Sequence, residues 1–202
     1  MVRARTAILI SGRGSNMRAL IAAADDASFP AEIALVVSNV EGAEGLSYAA
    51  AAGIPTKVIP HKPFASREAF DGAMDAALVE TGIEIVCLAG FMRILSDGFV
   101  RKWEGKLLNI HPSLLPSFKG VHVHEQALRA GVRISGCTVH FVVPELDAGP
   151  IIDQAHVRVE PGDTPQTLAA RVLVEEHKLY PAALKLLAEG KVALRNGQAV
   201  FR

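Results

Sequence analysis

Short runs of apolar residues alternate with helix-like segments through the first half of the chain. Uninterrupted runs lie at residues 6–10, 33–37 and 85–89, and a shorter candidate strand lies at 56–59. Continuous apolar runs of this length are typical of strands that are covered on both faces of a parallel sheet. The segments between them have apolar residues at helical spacing and suit right-handed crossovers. The sequence therefore predicts a Rossmann-like α/β arrangement over residues 1–100.

The second half follows a different pattern, because two of its predicted strands lie close together in sequence. The runs at 137–143 and 151–159 are separated by only the seven residues 144–150. A parallel connection needs about a dozen residues or more, so this pair is expected to be antiparallel. A long helix is predicted from residue 165 to about 190, followed by a hairpin around Asn196-Gly197. We therefore predict a single domain over 1–202, with a three-layer α/β/α architecture and a mixed, mostly parallel sheet.

Composition excludes several classes of protein. Lys+Arg and Asp+Glu both number 21, so the chain lacks the basic excess of a nucleic-acid-binding protein. The apolar stretch at 85–92 is much shorter than a membrane-spanning helix, and no signal peptide is recognisable at the start. Cys87 and Cys137 do not have the spacing of a zinc or redox motif. We expect a cytoplasmic protein that binds neither nucleic acid nor a membrane.

A glycine loop joins the first predicted strand to the first predicted helix. Gly12-Arg13-Gly14 leaves backbone N–H groups free at a helix N-terminus, which favours phosphate, and Ser15 is expected to cap the helix. Met17 occupies the position of the third glycine of a dinucleotide fingerprint, and no acidic residue ends the second strand, which argues against a nicotinamide-dependent oxidoreductase. The loop alone is compatible with one phosphate monoester or with an ordinary strand-to-helix turn.

Three polar residues of the second half have the chemistry of acyl transfer. Asn109 and His111 flank Ile110 near the end of a predicted strand at 106–110, where residues two apart share a face. Asp147 lies in the loop between the two antiparallel strands. An amide can donate to an oxyanion, an imidazole can transfer a proton near neutral pH, and a carboxylate can orient that imidazole. Spacing alone also allows a capping Asn, a core His and a turn Asp.

Other candidate residues are less specific. His122 and His124, with His111 and Asp147, form a conceivable metal-ligand set, but no second acidic cluster supports it and we expect no metal. The apolar segment 91–95 is suited either to the wall of an aromatic-ligand site or to simple packing.

Five motifs occur in order along nearly the whole chain. They are SGRGSN at 11–16, LAGFMR at 88–93, NIHPSLLP at 109–116, TVHF at 138–141 and ELDAGP at 145–150. Together they resemble the phosphoribosylglycinamide branch of the folate-dependent formyltransferase family. The resemblance implies the formyltransferase fold and direct transfer of a formyl group, through a tetrahedral intermediate, from 10-formyltetrahydrofolate to the amine of glycinamide ribonucleotide in purine biosynthesis.

The resemblance also implies a role for individual residues. The implied catalytic residues are Asn109, His111 and Asp147. The implied phosphate- and ribose-binding residues are Gly14, Ser15, Asn16, Met17 and Glu176. The implied folate-binding residues are Arg67, Met92, Arg93, Ile94, Leu95, Asn109, Val143, Pro144, Glu145, Leu146 and Asp147. Residues 1–100 are then the phosphate-binding half and 101–202 the catalytic and folate-binding half of a monomer or homodimer.

Three alternatives remain at this point. A methionyl-tRNA formyltransferase is expected to carry a further C-terminal RNA-contacting domain, and a formyltetrahydrofolate hydrolase a further N-terminal domain. The first predicted strand begins at residue 6, which disfavours the hydrolase. The net charge is zero, without the basic excess that RNA binding favours, which disfavours the methionyl-tRNA formyltransferase. A non-catalytic ligand-binding module is disfavoured by the Asn-His-Asp set.

Overall fold

The structure, a computed structural model, describes residues 2–202. The helices are α1 (Ser15–Ala24), α2 (Glu44–Ala51), α3 (Arg67–Glu80), α4 (Asp97–Lys102), α5 (Val123–Ala130) and α6 (Pro165–Ala188). The strands are β1 (Ala4–Ile10), β2 (Ala31–Ser38), β3 (Thr56–Val58), β4 (Ile85–Leu88), β5 (Leu107–His111), β6 (Ile134–Phe141), β7 (Ile151–Arg158), β8 (Val192–Arg195) and β9 (Gln198–Phe201).

Strands β1 to β7 form one mixed sheet in the order β3-β2-β1-β4-β5-β6-β7. The pairings from β3 through β5 are parallel, whereas β5 with β6 and β6 with β7 are antiparallel. The predicted mixed, mostly parallel sheet is confirmed. Strands β8 and β9 form a separate hairpin, whose turn residues Asn196 and Gly197 both have positive φ, as a two-residue type I′ turn requires.

The sheet is buried on both faces, which explains the continuous apolar runs. Along β1, Ile8 and Ile10 belong to one core cluster, together with Leu168 of α6. Leu9 belongs to a second cluster with Phe70 of α3. Because neighbouring strand residues point to opposite faces, each apolar run supplies both cores. The three-layer α/β/α prediction is confirmed.

Several local features differ from the sequence predictions. Strand β6 covers Ile134–Phe141 and not 137–143, so nine residues, 142–150, and not seven separate it from β7. Ser15 does not cap α1: the helix begins at Ser15, and Gly14 before it adopts φ +69° with no side-chain cap. Helix α4 was not predicted, because six residues are too short to show helical periodicity; Ser96 caps it by accepting from the Phe99 N–H. Strand β5 extends one residue further than predicted, so that His111 lies within it.

The carboxyl ends of β1, β4 and β5 lie side by side, because these strands are parallel and β4 is between the other two. The loops that follow β1 and β4 are joined directly: the Ser11 N–H donates to the Gly90 carbonyl at 3.2 Å, and the Met92 N–H donates to Ser11 Oγ at 2.8 Å. The glycine loop and the apolar segment after β4 therefore form adjoining walls of one sheet edge.

Helix α6 is fixed over the same region by a buried tyrosine. The Tyr180 hydroxyl lies 2.9 Å from the Leu88 carbonyl, at the end of β4, and 3.2 Å from the Leu108 carbonyl, near the start of β5. One turn earlier on the same face of the helix, Glu176 reaches the start of α1. Over residues 2–202, none of the helices is both long enough and apolar enough to span a bilayer.

Candidate active site

Asn109 faces a histidine on the neighbouring strand. The antiparallel register places Asn109 of β5 opposite His140 of β6, so both side chains lie on one face of the sheet. Asn109 Nδ2 lies 3.2 Å from His140 Nε2, and His140 Nδ1 lies 2.8 Å from the Phe141 carbonyl oxygen. A carbonyl oxygen can only accept, so His140 Nδ1 carries the proton, and Nε2 of the neutral ring accepts from the Asn109 amide. Burial lowers the pKa of His140 and so favours this neutral form.

His111, two residues beyond Asn109, is buried between two loops. Its Nε2 donates to the Phe118 carbonyl at 2.9 Å, and its Nδ1 lies 3.5 Å from Asp147 Oδ2. The Phe118 carbonyl also accepts from the Ser113 hydroxyl at 3.0 Å. Because Nε2–H is held by the Phe118 carbonyl, Nδ1 is the nitrogen of His111 that remains for proton exchange. The Asp147 carboxylate faces this nitrogen. This arrangement suits an imidazolium that exchanges a proton at Nδ1.

Asp147 is held by the loop geometry on both sides. It adopts φ +48°, and its Oδ2 accepts from the Gly120 N–H at 2.8 Å, which ties the β6–β7 loop to the loop after β5. Gly149 lies so close to β6 that a Cβ there would be 1.6 Å from the Phe141 carbonyl oxygen. Only glycine permits this approach, which brings Asp147 against His111 and covers the carbonyl that accepts the hydrogen bond from His140 Nδ1.

A cavity of about 520 Å³ opens beside these polar groups. Its apolar wall includes Met92, Ile94 and Leu146, which are 74%, 62% and 56% exposed. Large apolar side chains that are exposed together around a concave site are typical of a surface that covers a ligand.

The cavity brings together ten of the eleven predicted folate-binding residues. Arg67 is the exception, because it is exposed in the first turn of α3 and does not line the cavity. The lining residues among the eleven are Met92, Arg93, Ile94, Leu95, Asn109, Val143, Pro144, Glu145, Leu146 and Asp147.

The glycine loop ends at a buried pair of polar side chains. Asn16 Nδ2 donates to Glu176 Oε2 at 2.6 Å, and Asn16 Oδ1 is buried with no partner. Burial raises the pKa of Glu176, opposed by the hydrogen bond from Asn16. An unsatisfied buried oxygen next to free backbone N–H groups is suited to a hydroxylated, anionic ligand.

Two glycines and a methionine hold this loop in place. A Cβ at Gly45, in α2, would lie 2.6 Å from Ile10 Cδ1, and the Gly45 N–H donates to the Gly12 carbonyl at 3.1 Å. Gly14 takes the left-handed conformation against the Met17 side chain. Met17 is fully buried, backbone as well as side chain, so it supports the loop from the core and does not line its exposed surface.

The sequence interpretation missed His140 and assigned no role to His124. Burial lowers the pKa of His124, with a smaller contribution from His111, and its Nδ1 is buried without a partner beside the cavity. His140 lies in an apolar strand, where a histidine looks like a core residue. Pairing β5 with β6 in antiparallel register is the signal that identifies it as the neighbour of Asn109.

The conceivable metal-ligand set does not assemble. Across residues 2–202, no group of three or more His, Cys, Asp or Glu side chains is arranged to hold a metal ion. His122 instead lies 3.7 Å from Glu125 on the surface. Cys87 and Cys137 are free and buried, and burial raises the pKa of each to about 12.

Comparison with known proteins gives consistent matches. The trifunctional purine biosynthetic protein adenosine-3 of Gallus gallus is 58% identical over 190 residues, which are 94% of this chain and 19% of that protein. Phosphoribosylglycinamide formyltransferase of Escherichia coli (strain K12) is 44% identical over 192 residues, which are 95% of this chain and 91% of that protein. Glycinamide ribonucleotide transformylase 1 from Symbiobacterium toebii has a crystal structure that superposes with a TM-score of 0.95 at 41% identity, covering 98% of this chain and 94% of that one.

The extent of these matches identifies the family. The chain spans about a fifth of the length of the trifunctional relative from Gallus gallus but nearly all of the bacterial proteins. The formyl transferase family model matches residues 4–184. The family and fold that the motifs predicted are thereby confirmed, and the chain belongs to the formyl transferase family.

Proposed function

We propose that the protein transfers the formyl group of 10-formyltetrahydrofolate to the amine of glycinamide ribonucleotide, a step of purine biosynthesis. One observation carries the proposal. An apolar-walled cavity with Asn109, His111 and Asp147 at its polar side adjoins a glycine loop suited to phosphate. A folate heterocycle and a phosphorylated amine can therefore meet at one sheet edge. Relatives named for this reaction cover nearly the whole chain.

The proposed chemistry is direct transfer without a covalent enzyme intermediate. The amine nitrogen attacks the formyl carbon, and the C=O π electrons move to oxygen to give a tetrahedral oxyanion. Asn109 and the Nδ1–H of protonated His111 donate hydrogen bonds to that oxygen. The bond between the formyl carbon and the folate nitrogen then breaks, as the oxygen lone pair restores the carbonyl. His111 gives its Nδ1 proton to the departing folate nitrogen, and the neutral ring then takes up the proton that the amine loses, with Asp147 beside Nδ1.

We assign the phosphate and ribose of the acceptor to the other wall. The backbone N–H groups of Gly14, Ser15 and Asn16, with the start of α1, would hold the phosphate, since Gly14 leaves this helix end without a side-chain cap. The buried Asn16–Glu176 pair would accept and donate hydrogen bonds to the ribose hydroxyls. Met17 would act only indirectly, by packing against Gly14, because the whole residue is buried.

The folate would occupy the cavity. The exposed apolar side chains Met92, Ile94 and Leu146 would pack on its rings. Backbone groups of 92–95 and 143–147 would form hydrogen bonds with the polar edge of the heterocycle. Arg67 remains a proposed contact only for a part of the folate that extends beyond the cavity. Acceptor and donor would thus lie on adjoining walls of one cytoplasmic, metal-independent domain. The halves 1–100 and 101–202 both contribute to each wall, since residues 92–95 contact the folate and Glu176 contacts the acceptor.

A formyl-transfer assay tests this function. The protein is mixed with 10-formyltetrahydrofolate and glycinamide ribonucleotide, and the appearance of tetrahydrofolate is followed with and without the amine. We expect turnover only when both substrates are present. Release without the amine would instead identify a hydrolase, and no release under either condition would refute the substrate assignment. His111→Ala is the active-site variant, and His156→Ala, on an exposed position of β7, is the matched control.

A further inference from the structure

We propose that His140 is a positioning residue that, as the neutral Nδ1–H tautomer, orients the Asn109 amide for the reaction. This inference rests on the proposed function of Asn109. It starts from the chain of contacts that runs from Asn109 Nδ2 to His140 Nε2 at 3.2 Å and from His140 Nδ1 to the Phe141 carbonyl oxygen at 2.8 Å. The fixed end of this chain is a backbone carbonyl, which has no hydrogen to give.

The direction of every hydrogen bond in the chain follows from that carbonyl. His140 Nδ1 must donate, so the neutral ring offers only a lone pair at Nε2. Asn109 must then present its NH2 group, and not its oxygen, toward His140. One N–H of the amide is used in this contact, and the amide is held in a single orientation with its second N–H available to the cavity. An unpaired Asn109 could rotate its amide by half a turn and present oxygen instead.

The surroundings of His140 hold this state in place. The ring is 2% exposed, and the β6–β7 register shifts between Val139 and His140, which sets the direction of this residue relative to its strand. A Cβ at Gly149 would lie 3.1 Å from His140 Nδ1, so the loop covers this nitrogen and the carbonyl that accepts from it. Water therefore has little room to replace the Phe141 carbonyl as the partner of Nδ1.

Charged groups act on His140 from three elements. Asp147 of the β6–β7 loop favours its protonation, whereas His111 of β5 and Lys119 of the loop after β5 oppose it. Protonation would place a hydrogen on Nε2 and require Asn109 to turn its oxygen toward it. The acid side of the activity profile therefore includes a contribution from His140.

Two substitutions separate positioning from packing. His140→Gln places an amide oxygen near the position of Nε2 and keeps an acceptor for Asn109, whereas His140→Asn reaches only the position of Nδ1. We expect His140→Gln to keep kcat within about 5-fold, and His140→Asn to lower kcat by about 10–100-fold, part of the effect of one oxyanion donor. The KM for the folate should change little in both, because the donor acts on charge that develops during the reaction. His156→Gln is the surface control.

The pH profile and the ring itself give independent readouts. The acid limb of kcat in His140→Gln should shift to lower pH than in the wild type, because Gln does not titrate. Nitrogen NMR of the His140 ring near neutral pH should show a proton on Nδ1 and none on Nε2. That spectrum does not depend on turnover, so a failure of the proposed function is distinguished from a failure of this inference.

Three results would overturn the inference. A proton on Nε2 at neutral pH would contradict the tautomer. Equal losses of kcat in folded His140→Gln and His140→Asn would show that ring packing, and not the acceptor, matters. Full activity in both would show that Asn109 needs no partner.

Discussion

The two walls of the site are built in different ways. The glycine loop is made of consecutive residues, 11–16, and its conformation is set by close packing against Gly45 and Met17. Its proposed contacts with the phosphate are the backbone N–H groups of residues 14–16. The opposite wall is made of side chains from β5, β6 and the β6–β7 loop. Asn109 and His140 share a hydrogen bond there, and Asp147 accepts one from the Gly120 N–H. Backbone groups hold a ligand but exchange no protons, whereas side chains can do both.

This difference predicts a division of labour between the walls. Changes at the glycine loop and its partner Glu176 should weaken the binding of the phosphorylated acceptor and leave the chemical step nearly unchanged. Changes at Asn109 or His111 should slow the chemical step and leave binding nearly unchanged. The predictions below test that division, in order of decreasing effect.

Replacing His111 should have the largest effect. His111→Ala removes the imidazole that faces Asp147 at 3.5 Å, and kcat should fall by about 10²–10⁴-fold, the range for one general acid–base group. Asn109→Ala should lower kcat by about 10²–10³-fold through loss of an oxyanion donor. Steady-state kinetics with both substrates measure these changes, and circular dichroism checks the fold. Near-wild-type turnover in His111→Ala would remove this residue from the mechanism.

Replacing Glu176 should act on binding. Glu176→Leu keeps the volume of the side chain but removes the partner of Asn16 and the proposed ribose contact. Loss of a hydrogen bond to a charged group costs about 1.5–3 kcal/mol, so the KM for glycinamide ribonucleotide should rise by about 10–100-fold with kcat within a few-fold. Glu175→Leu, one residue earlier on α6, is the control. A large drop in turnover number at an unchanged KM would contradict the division.

Replacing Gly149 tests how the loops of the side-chain wall are held. Gly149→Ala would bring a Cβ within 1.6 Å of the Phe141 carbonyl oxygen, so the backbone must move. We expect the free energy of unfolding to fall by about 1–3 kcal/mol, the usual cost of overpacking, together with lower activity. Gly72→Ala, within α3, is the control, because a Cβ added there has no other atom within 4 Å. Chemical denaturation measures the unfolding midpoint of each variant. An unchanged midpoint in Gly149→Ala would show that the close approach is not required.

The pH dependence of stability should be the smallest effect. Burial lowers the pKa of His140 below its ordinary value of 6.5, so near and below that pH the unfolded chain binds more protons than the folded one. The free energy of unfolding should therefore decrease as pH falls through 6.5, by at most about 1.4 kcal/mol per pH unit for this residue. Denaturation of wild type and His140→Gln at several pH values gives the difference. An equally steep decrease in His140→Gln would show that other groups cause it.

Local patterns explain how much of this molecule could be predicted. The strand at 6–10 and the glycines that follow it are adjacent in sequence, so the β1–α1 turn was predictable. The capping role of Ser15 was not, because Gly14 takes a left-handed conformation that the sequence does not reveal. Asn109 and His111 were predictable as a pair from their spacing on one strand.

Long-range contacts explain what could not be predicted. His140 meets Asn109 only through the register of β5 and β6, and the Phe118 carbonyl reaches His111 only when the loop after β5 folds back. Helix α4 was missed because it has only six residues. Arg67 was placed near the folate by family resemblance, yet α3 puts it outside the cavity lining.

The division of labour is tested most directly by single-turnover rates at saturating concentrations of both substrates. His111→Ala and Glu176→Leu are measured side by side with the wild type. We predict that Glu176→Leu recovers a rate close to that of the wild type once glycinamide ribonucleotide is saturating, whereas His111→Ala remains slower by about 10²–10⁴-fold at any concentration. A His111→Ala rate that approaches the wild type, or a Glu176→Leu rate that stays equally slow at saturation, would contradict the account.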